Sequence, residues 1–479
     1  MNISNMALLT DFYELTMMNG YLNENMADDI VYFEYFFRKI PDNGGFAISC
    51  GLESVCNYID NLKFTDEDIE YLKNRNIFTE KFIDEIKKIK FTGDIWAVKE
   101  GTPIFPYEPI IVVRARAFEA QLIETAILLF MNHQSLICTK ANRIVRAAEG
   151  RDVLEFGSRR AQGKDAAILG ARAAYIGGCA ASSNTIVDSI YGVKATGTMA
   201  HSWVQMFETE YDAFKAYAKN YPDTCSLLID TYDVLNSGIK NAVRVFDEVL
   251  KPLNKRPLSV RLDSGDIAYL SKKVRRILDE AGYEDCKIVA SNSLDEVIIK
   301  NLILEGAKVD IFGVGEKLIT AYTNPVFGGV YKLVATQKNG KIVNKIKISE
   351  NIEKITTPGF KQFYRLYDNE TKYAMADLVT FHSEVIDESK PLEIFHPSHT
   401  WKRKTLKNFR AEKMLHKIYE GGKLIYDLPS IEEIRSYCLT SLDNFWDEMK
   451  RFEFPHKYIV DLSYDLWKTK NDMLKKLKD

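Results

Sequence analysis

Six short clusters hold the residue types needed to grip and transform a phosphorylated substrate. They are Phe156-Gly157-Ser158-Arg159-Arg160, Gly197-Thr198-Met199-Ala200-His201-Ser202, Asp230-Thr231-Tyr232-Asp233, Arg261-Leu262-Asp263-Ser264-Gly265-Asp266, Ser291-Asn292-Ser293 and Phe312-Gly313-Val314-Gly315-Glu316. Arg159, Arg160 and Arg261 present guanidinium forks that match phosphate or carboxylate. The turn around Gly313 and Gly315 exposes backbone N–H groups that can cradle an anion. Asp230, Asp233, Asp263 and Asp266 could hold magnesium together with water and phosphate oxygens. Taken singly, each cluster has an ordinary reading, because Asp and Ser cap helices and Gly makes turns. Together they suit a multiply phosphorylated, metal-chelated substrate.

His201 is the sharpest single residue, since only it and His133 precede residue 380. One reading is a histidine hydrogen-bonded within a loop. The other is a nucleophile or acid–base group, because neutral imidazole can attack a phosphoryl group near neutral pH. Asp230 or Asp233 could orient its ring. No ordering of Ser, His and Asp favours acyl transfer.

The clusters need elements to position them. Short apolar runs lie at Val153–Phe156, Ala195–Met199, Ser226–Ile229, Leu258–Leu262, Ile288–Ala290 and Asp310–Phe312. Helical patterns follow the later runs at Val234–Leu250, Ile267–Ala281 and Leu294–Glu305, the last with Ser293 as the expected N-cap and Glu296 closing a capping box. Strand and helix alternating in this way predict βαβ crossovers and a parallel sheet. Six such strands favour a closed or nearly closed (β/α) barrel over an open sheet, with every cluster at a C-terminal strand end, where barrel enzymes build their sites. The reading is thus an α/β barrel domain over 131–340. A mixed domain precedes it at 1–130, with a helix at Leu8–Tyr21 and strands at Ile30–Phe37 and Ile110–Ala115. The stretch Trp96–Pro109 reads as turns and edge strands. The segment 341–479 carries strands and then helices.

Composition sets limits. The 479 residues are 46% hydrophobic and 27% charged with a net charge of −3, which is the balance of a folded globular protein and not of a general nucleic-acid coat. No apolar run approaches the ~20 residues that span a bilayer, and Met1-Asn2-Ile3-Ser4-Asn5 does not resemble a signal peptide, so a cytoplasmic enzyme is expected. Seven scattered cysteines without a C-x-x-C pair suggest neither a disulfide framework nor a zinc ribbon. Gly157 to Lys164 imitates a P-loop, but five residues separate the glycines and Asp165 stands where Ser or Thr is required. Gly313-x-Gly315-x-x-Leu318 lacks the third glycine of a dinucleotide fingerprint.

Five ordered motifs carry a resemblance. They are Leu9-Thr10-Asp11-Phe12-Tyr13-Glu14-Leu15-Thr16-Met17, Phe156 to Gly163, Gly197 to Ser202, Val260 to Asp266, and the run KITTPGFKQFYR from Lys354 to Arg365. Together they resemble nicotinate phosphoribosyltransferase, a type II phosphoribosyltransferase, from about residue 6 to residue 366. The resemblance implies an irregular (β/α) barrel joined to a β-rich α+β domain formed from both chain ends, and a homodimer with shared sites. It implies that nicotinate and 5-phosphoribosyl 1-diphosphate give nicotinate mononucleotide and diphosphate, an ATP-coupled ligation in NAD salvage that uses Mg2+. In this scheme His201 is the phosphohistidine, and Phe156 and Tyr13 of the other subunit sandwich the pyridine ring. Arg261 meets the nicotinate carboxylate or a substrate phosphate, with Ser202 nearby as a hydroxyl donor, while Arg159 and Arg160 face the diphosphate. Asp263 and Asp266 serve ribose hydroxyls or magnesium, Gly313 and Gly315 cradle the 5′-phosphate, and Thr198, Asp230, Ser291 and Asn292 complete the substrate contacts. Nicotinamide phosphoribosyltransferase and a non-catalytic nucleotide-binding barrel are the alternatives. The nicotinate reading expects Ser202 and an arginine with no acid nearby at the ring substituent. His396, His399 and Trp401 receive no chemistry.

Overall fold

Five of the six apolar runs form strands, and one further strand lies where no run was read. The strands are β1 Asp152–Glu155, β2 Ala181–Ser182, β3 Ser226–Leu228, β4 Ser259–Leu262, β5 Lys287–Ser291 and β6 Ile311–Val314. They pair in the order β2-β1-β6-β5-β4-β3, every pair parallel. The computed structural model describes residues 6–476.

The expected barrel is not closed. Ala195 forms a single parallel bridge with Ser182, and no pairing among the described residues joins this edge to β3. The run Ala195–Met199 was expected to be a full strand. It contains Gly197 and leads directly into the helix His201–Gln205, so it has no length for a ladder. The result is an open six-stranded parallel sheet within a mixed α/β fold. This sheet and its helices form one compact unit, Ile137–Pro325.

Carboxylates cap three of the helical segments of this unit. Asp233 accepts from the N–H groups of Leu235 (3.0 Å) and Asn236 (2.7 Å), and Asp266 accepts from Tyr269 N–H (2.9 Å). Asp295, and not Ser293, caps the helix Glu296–Leu304 by accepting from Ile298 N–H at 2.9 Å. Ser293 is unsuited to the task because its φ of 47° lies in the left-handed region. The helical stretch after β3 has wide turns at Val234–Gly238 and Phe246–Leu250 on either side of a regular segment, Ile239–Val245. It lies tightly on the strand end, since a Cβ at Gly238 would stand 1.9 Å from the Ile229 carbonyl oxygen. Its face, with Ile239, Ala242, Val245 and Phe246, packs into a core with Leu227, Val260, Val274 and Ile288.

The second compact unit combines residues up to Leu136 with those from Val326 onward. Its main sheet is antiparallel and interleaves the two stretches, with Ile30–Phe36 paired on one side to Val330–Lys338 and on the other to Ile111–Arg116. The strand Asp94–Ala97, whose Trp96 and Ala97 begin the stretch Trp96–Pro109 expected to be turns and edge strands, lies inside this sheet between Ile111–Arg116 and His416–Glu420. A four-stranded sheet around Lys361–Asp368 and Ala374–Phe381 completes the unit. A buried ion pair, Arg365 to Asp377 at 2.7 Å, braces that hairpin, and Arg365 also donates to the Pro103 carbonyl at 2.8 Å. All seven cysteines are buried and none forms a disulfide. No described helix is long and apolar enough to cross a membrane.

Candidate active site

A cavity of about 540 Å³ opens at the C-terminal ends of the parallel strands. Eleven of the residues singled out from the sequence line it: Phe156, Arg159, Arg160, Thr198, His201, Arg261, Asp263, Ser291, Asn292, Gly313 and Gly315. Strand polarity brings them together, because parallel strands send all their C-terminal loops to one edge.

Arg261 is the hub. Its Nε donates to Ser291 Oγ (2.9 Å), Nη1 to Thr198 Oγ1 (3.1 Å) and Nη2 to Asp263 Oδ1 (2.7 Å). Three separate segments therefore fix one guanidinium, whose centre lies 5.7 Å from the Phe156 ring centroid. Burial pushes the Asp263 carboxyl up, but the Ser291 hydroxyl and the Arg261 guanidinium outweigh it and hold the group below the usual carboxylate range. The expectation of an arginine with no nearby acid is thus corrected at Arg261, which Asp263 already engages.

Phe156 is fixed through its backbone, donating N–H to the Val314 carbonyl at 2.8 Å. Gly313 makes room for the ring, since a Cβ there would come within 2.7 Å of it. Beneath this turn Glu155 is fully buried and accepts from Gly157 N–H and from Ser182 Oγ (2.6 Å). Burial raises the Glu155 carboxyl above its ordinary range, and these two donors only partly offset that.

His201 stands at the start of its short helix with a 40% exposed side chain, open to an incoming group. Nδ1 lies 3.2 Å from Thr231 Oγ1, and Nε2 lies 3.8 Å from Asp263 Oδ2. Thr231 is therefore the ring's hydrogen-bond partner, instead of the expected Asp230 or Asp233, and the Asp263 carboxylate lies near Nε2 without bonding it. Asp233 and Asp266 serve as helix caps. Asp230 lies behind the cavity wall, where one oxygen accepts from Asp263 N–H (2.8 Å) and Ser264 Oγ (2.6 Å). Its other oxygen is buried and accepts no hydrogen bond. Ser202 is exposed and outside the lining. Tyr13 belongs to the other compact unit, on the helix Phe12–Asn23, and is 46% exposed.

The described residues contain no group of three or more His, Cys, Asp or Glu able to hold a metal alone. Asp263 and Asp230, with its unsatisfied oxygen, fit magnesium in the form that relies on one or two carboxylates plus substrate phosphates.

Comparisons with known proteins bear on this arrangement. The profile of the nicotinate phosphoribosyltransferase (NAPRTase) family matches residues 152–372, that of the NAPRTase N-terminal domain residues 8–132, and that of the nicotinate phosphoribosyltransferase C-terminal domain residues 360–470. A nicotinate phosphoribosyltransferase of Bacillus subtilis is 44% identical over 99% of this chain and 96% of its own. The chain belongs to the nicotinate phosphoribosyltransferase family. Within that family, the Dictyostelium discoideum nicotinate phosphoribosyltransferase is 32% identical over 97% of this chain and 88% of its own. Among solved structures, human nicotinic acid phosphoribosyltransferase superposes with a TM-score of 0.84 at 27% identity, covering 97% of this chain and all of that one. The nicotinate-nucleotide pyrophosphorylase of Pyrococcus furiosus gives 0.71 at 26% identity, covering 93% and 97%.

Two residues of the site, Ser183 and Glu155, escaped the sequence reading, and Glu316, quoted with its cluster, was given no role. Ser183 lines the cavity after a strand of two residues, too short to register as an apolar run. Glu316 faces Arg160 at 3.7 Å and reads from the sequence as an ordinary first-turn acid. Glu155 is a charged residue inside an apolar run, and that inconsistency is the signal that could have found it.

Proposed function

We propose that this family member joins nicotinate to 5-phospho-α-D-ribose 1-diphosphate, giving nicotinate mononucleotide and diphosphate, with ATP hydrolysis coupled through His201. The observation that carries the reading is the convergence of Arg159, Arg160, Arg261, Phe156, His201 and Asp263 on one cavity. Phe156 offers a face for the pyridine ring, and Tyr13 of a second copy closes the other side in a homodimer with shared sites. The ring nitrogen is thereby held in line with C1 of the ribose. As diphosphate departs, the sugar takes on oxocarbenium character and the leaving group gathers charge that Arg159 and Arg160 stabilise. Asp263 and Asp230 would hold Mg2+, which when bound neutralises part of the diphosphate charge. The backbone of Gly313 and Gly315 receives the 5′-phosphate. Arg261, pinned by three partners, meets the nicotinate carboxylate.

In the tautomer whose Nδ1–H donates to Thr231 Oγ1, the Nε2 lone pair of His201 attacks the γ-phosphorus of ATP and releases ADP. The resulting phosphohistidine adds a charge of about −1.5 to −2, by analogy with other phospho-residues, beside an arginine-lined cavity. That charge redistributes the arginines and tightens the grip on the diphosphate-bearing substrate.

The test is diphosphate release from phosphoribosyl diphosphate and Mg2+, with nicotinate or nicotinamide offered separately, each with and without ATP. Release with nicotinate, stimulated by ATP in the wild type and not in His201→Ala, is expected. Release with nicotinamide alone would assign the sister activity, and silence with both would leave a non-catalytic nucleotide-binding protein.

A further inference from the structure

Asn292 and Ser293 line the cavity just after β5, and both hold left-handed backbone, with φ of 91° and 47°. Asparagine tolerates this region and serine does so less readily, so two in succession persist only where the flanking structure enforces them. On one side stands Ser291, the last residue of β5, whose hydroxyl accepts from Arg261 Nε and donates to Asp263. On the other side stands Asp295, a buried carboxylate that the reaction scheme does not use. One of its oxygens caps the helix Glu296–Leu304, and the other accepts from Lys317 Nζ at 2.7 Å.

Lys317 stands two residues past Gly315, so this bond joins the loop after β5 to the loop after β6. The two strands pair in parallel as far as Ser291 and Gly313, where their ladder ends. Beyond that point the Asp295–Lys317 bond carries the connection, although neither side chain lines the cavity. The side chains of Asp295 and Lys317 are 10% and 23% exposed, a shielded setting in which a charged hydrogen bond meets little competition from water. The base of the pair is itself fixed. Glu296, next to Asp295, accepts from Lys140 (2.9 Å) and Arg143 (2.8 Å) of the helix Glu124–Ala147, and Lys140 also donates to Thr323 Oγ1 at 2.9 Å. Burial pushes the Asp295 carboxyl up, but Lys317, the Ile298 N–H and the Lys140 charge outweigh it and hold the group below the usual carboxylate range.

We propose that Asp295 and Lys317 are positioning residues for phosphoribosyl diphosphate: their bond fixes the gap between Asn292–Ser293 and Gly313–Gly315, and with it the pocket for the 5′-phosphate. The inference rests on the reading that Gly313 and Gly315 receive that phosphate. The nicotinate end of the cavity has supports of its own, since Phe156 bonds to Val314 and Arg261 to Thr198, Ser291 and Asp263. Breaking the Asp295–Lys317 bond therefore weakens one substrate and spares the other.

The experiment measures kcat and the KM of each substrate in Lys317→Met, Lys317→Arg and Asp295→Asn. Lys317→Met removes the charge from an unbranched side chain, and Asp295→Asn keeps a carbonyl oxygen for the Ile298 N–H, so the helix retains its cap. Each should raise the KM for phosphoribosyl diphosphate about tenfold and leave that for nicotinate within about twofold, because only the phosphate end is displaced. Lys317→Arg, which can still donate to Asp295, should recover most of the loss. Ribose 5-phosphate, used as a competitor, should weaken in step with the substrate, whereas diphosphate, held by Arg159 and Arg160, should not. If Asp295→Asn folds poorly, Lys317→Met keeps the test valid. Both KM values rising together, or an equal loss in Lys317→Arg and Lys317→Met, overturns the proposal. Asn292→Ala tests the place of the loop in the site directly. A raised phosphoribosyl diphosphate KM there, alongside unchanged values in Lys317→Met and Asp295→Asn, overturns the positioning role alone. An unchanged KM in Asn292→Ala overturns the place of this loop in the site, and this inference with it.

Discussion

Phe156 and Tyr13 are two aromatic rings with a buried carboxylate beside each, yet they are held in opposite ways. Phe156 is locked by a strand-to-strand hydrogen bond to Val314, and its neighbour Glu155 is satisfied by a backbone N–H and a hydroxyl. Tyr13 sits half-exposed at the start of the helix Phe12–Asn23, and the buried Glu14 beside it accepts from the hydroxyls of Thr10 and Thr125. The difference teaches that one ring is placed by the sheet, whereas the other stands on a helix whose first turn holds a buried carboxyl that can titrate. In the proposed site, Phe156 would be a fixed wall and Tyr13 of a second copy an adjustable one.

The fixed wall fails hardest when its hub is removed. Arg261→Ala should lower kcat/KM roughly 100- to 1,000-fold in steady-state assays, because it removes the proposed anion contact and leaves Thr198, Ser291 and Asp263 without their shared donor. A loss below about tenfold would mean that the strand-end cavity is not the fixed half of the site. Glu155→Gln tests the support beneath Phe156. It leaves one acceptor for two donors and should cost about 1–2 kcal/mol in denaturant unfolding.

The adjustable wall should reveal itself in a gentler way. The Glu14 carboxyl is raised in the folded chain from about 4.5 to about 7, so between these values the native state binds more protons than the unfolded state. Its stabilising contribution is complete below about pH 4.5 and is lost as pH rises through about 7. Thermal unfolding from about pH 5 to about pH 8 should therefore slope downward less steeply in Glu14→Gln than in the wild type. Equal slopes would remove the proton from Glu14 and with it the contrast between the two rings.

The repeating strand–helix pattern made the parallel sheet legible, and the placement of the clusters at C-terminal strand ends followed from it. The errors share a cause in short-range ambiguity. Ala195–Met199 has the apolar content of a strand, while the real strand, Ala181–Ser182, is two small residues that carry no periodic signal. Ser293 and Asp295 are both good caps by residue type, and the left-handed backbone at Ser293 decided between them. Asp233 and Asp266 read equally well as ligands or caps, and only the hydrogen-bond directions separate the two roles. Closure of the barrel depends on pairing between distant edges, which no local pattern encodes. The contact of Glu14 with Thr125 was hidden for the same reason, since it spans 111 residues.

The strand Ile30–Phe36 lies between Ile111–Arg116 and Val330–Lys338, and Asp94–Ala97 lies beside His416–Glu420. This order of pairing sets a timetable for the growing chain. The unit Ile137–Pro325 is continuous and can complete its sheet as soon as it emerges from the ribosome. The flanking unit must keep its early strands waiting, with open edges, until synthesis has passed residue 420. A chain that stalls between these points would carry a finished catalytic half joined to adhesive, unfinished strands, which makes translation speed through residues 326–420 a determinant of yield.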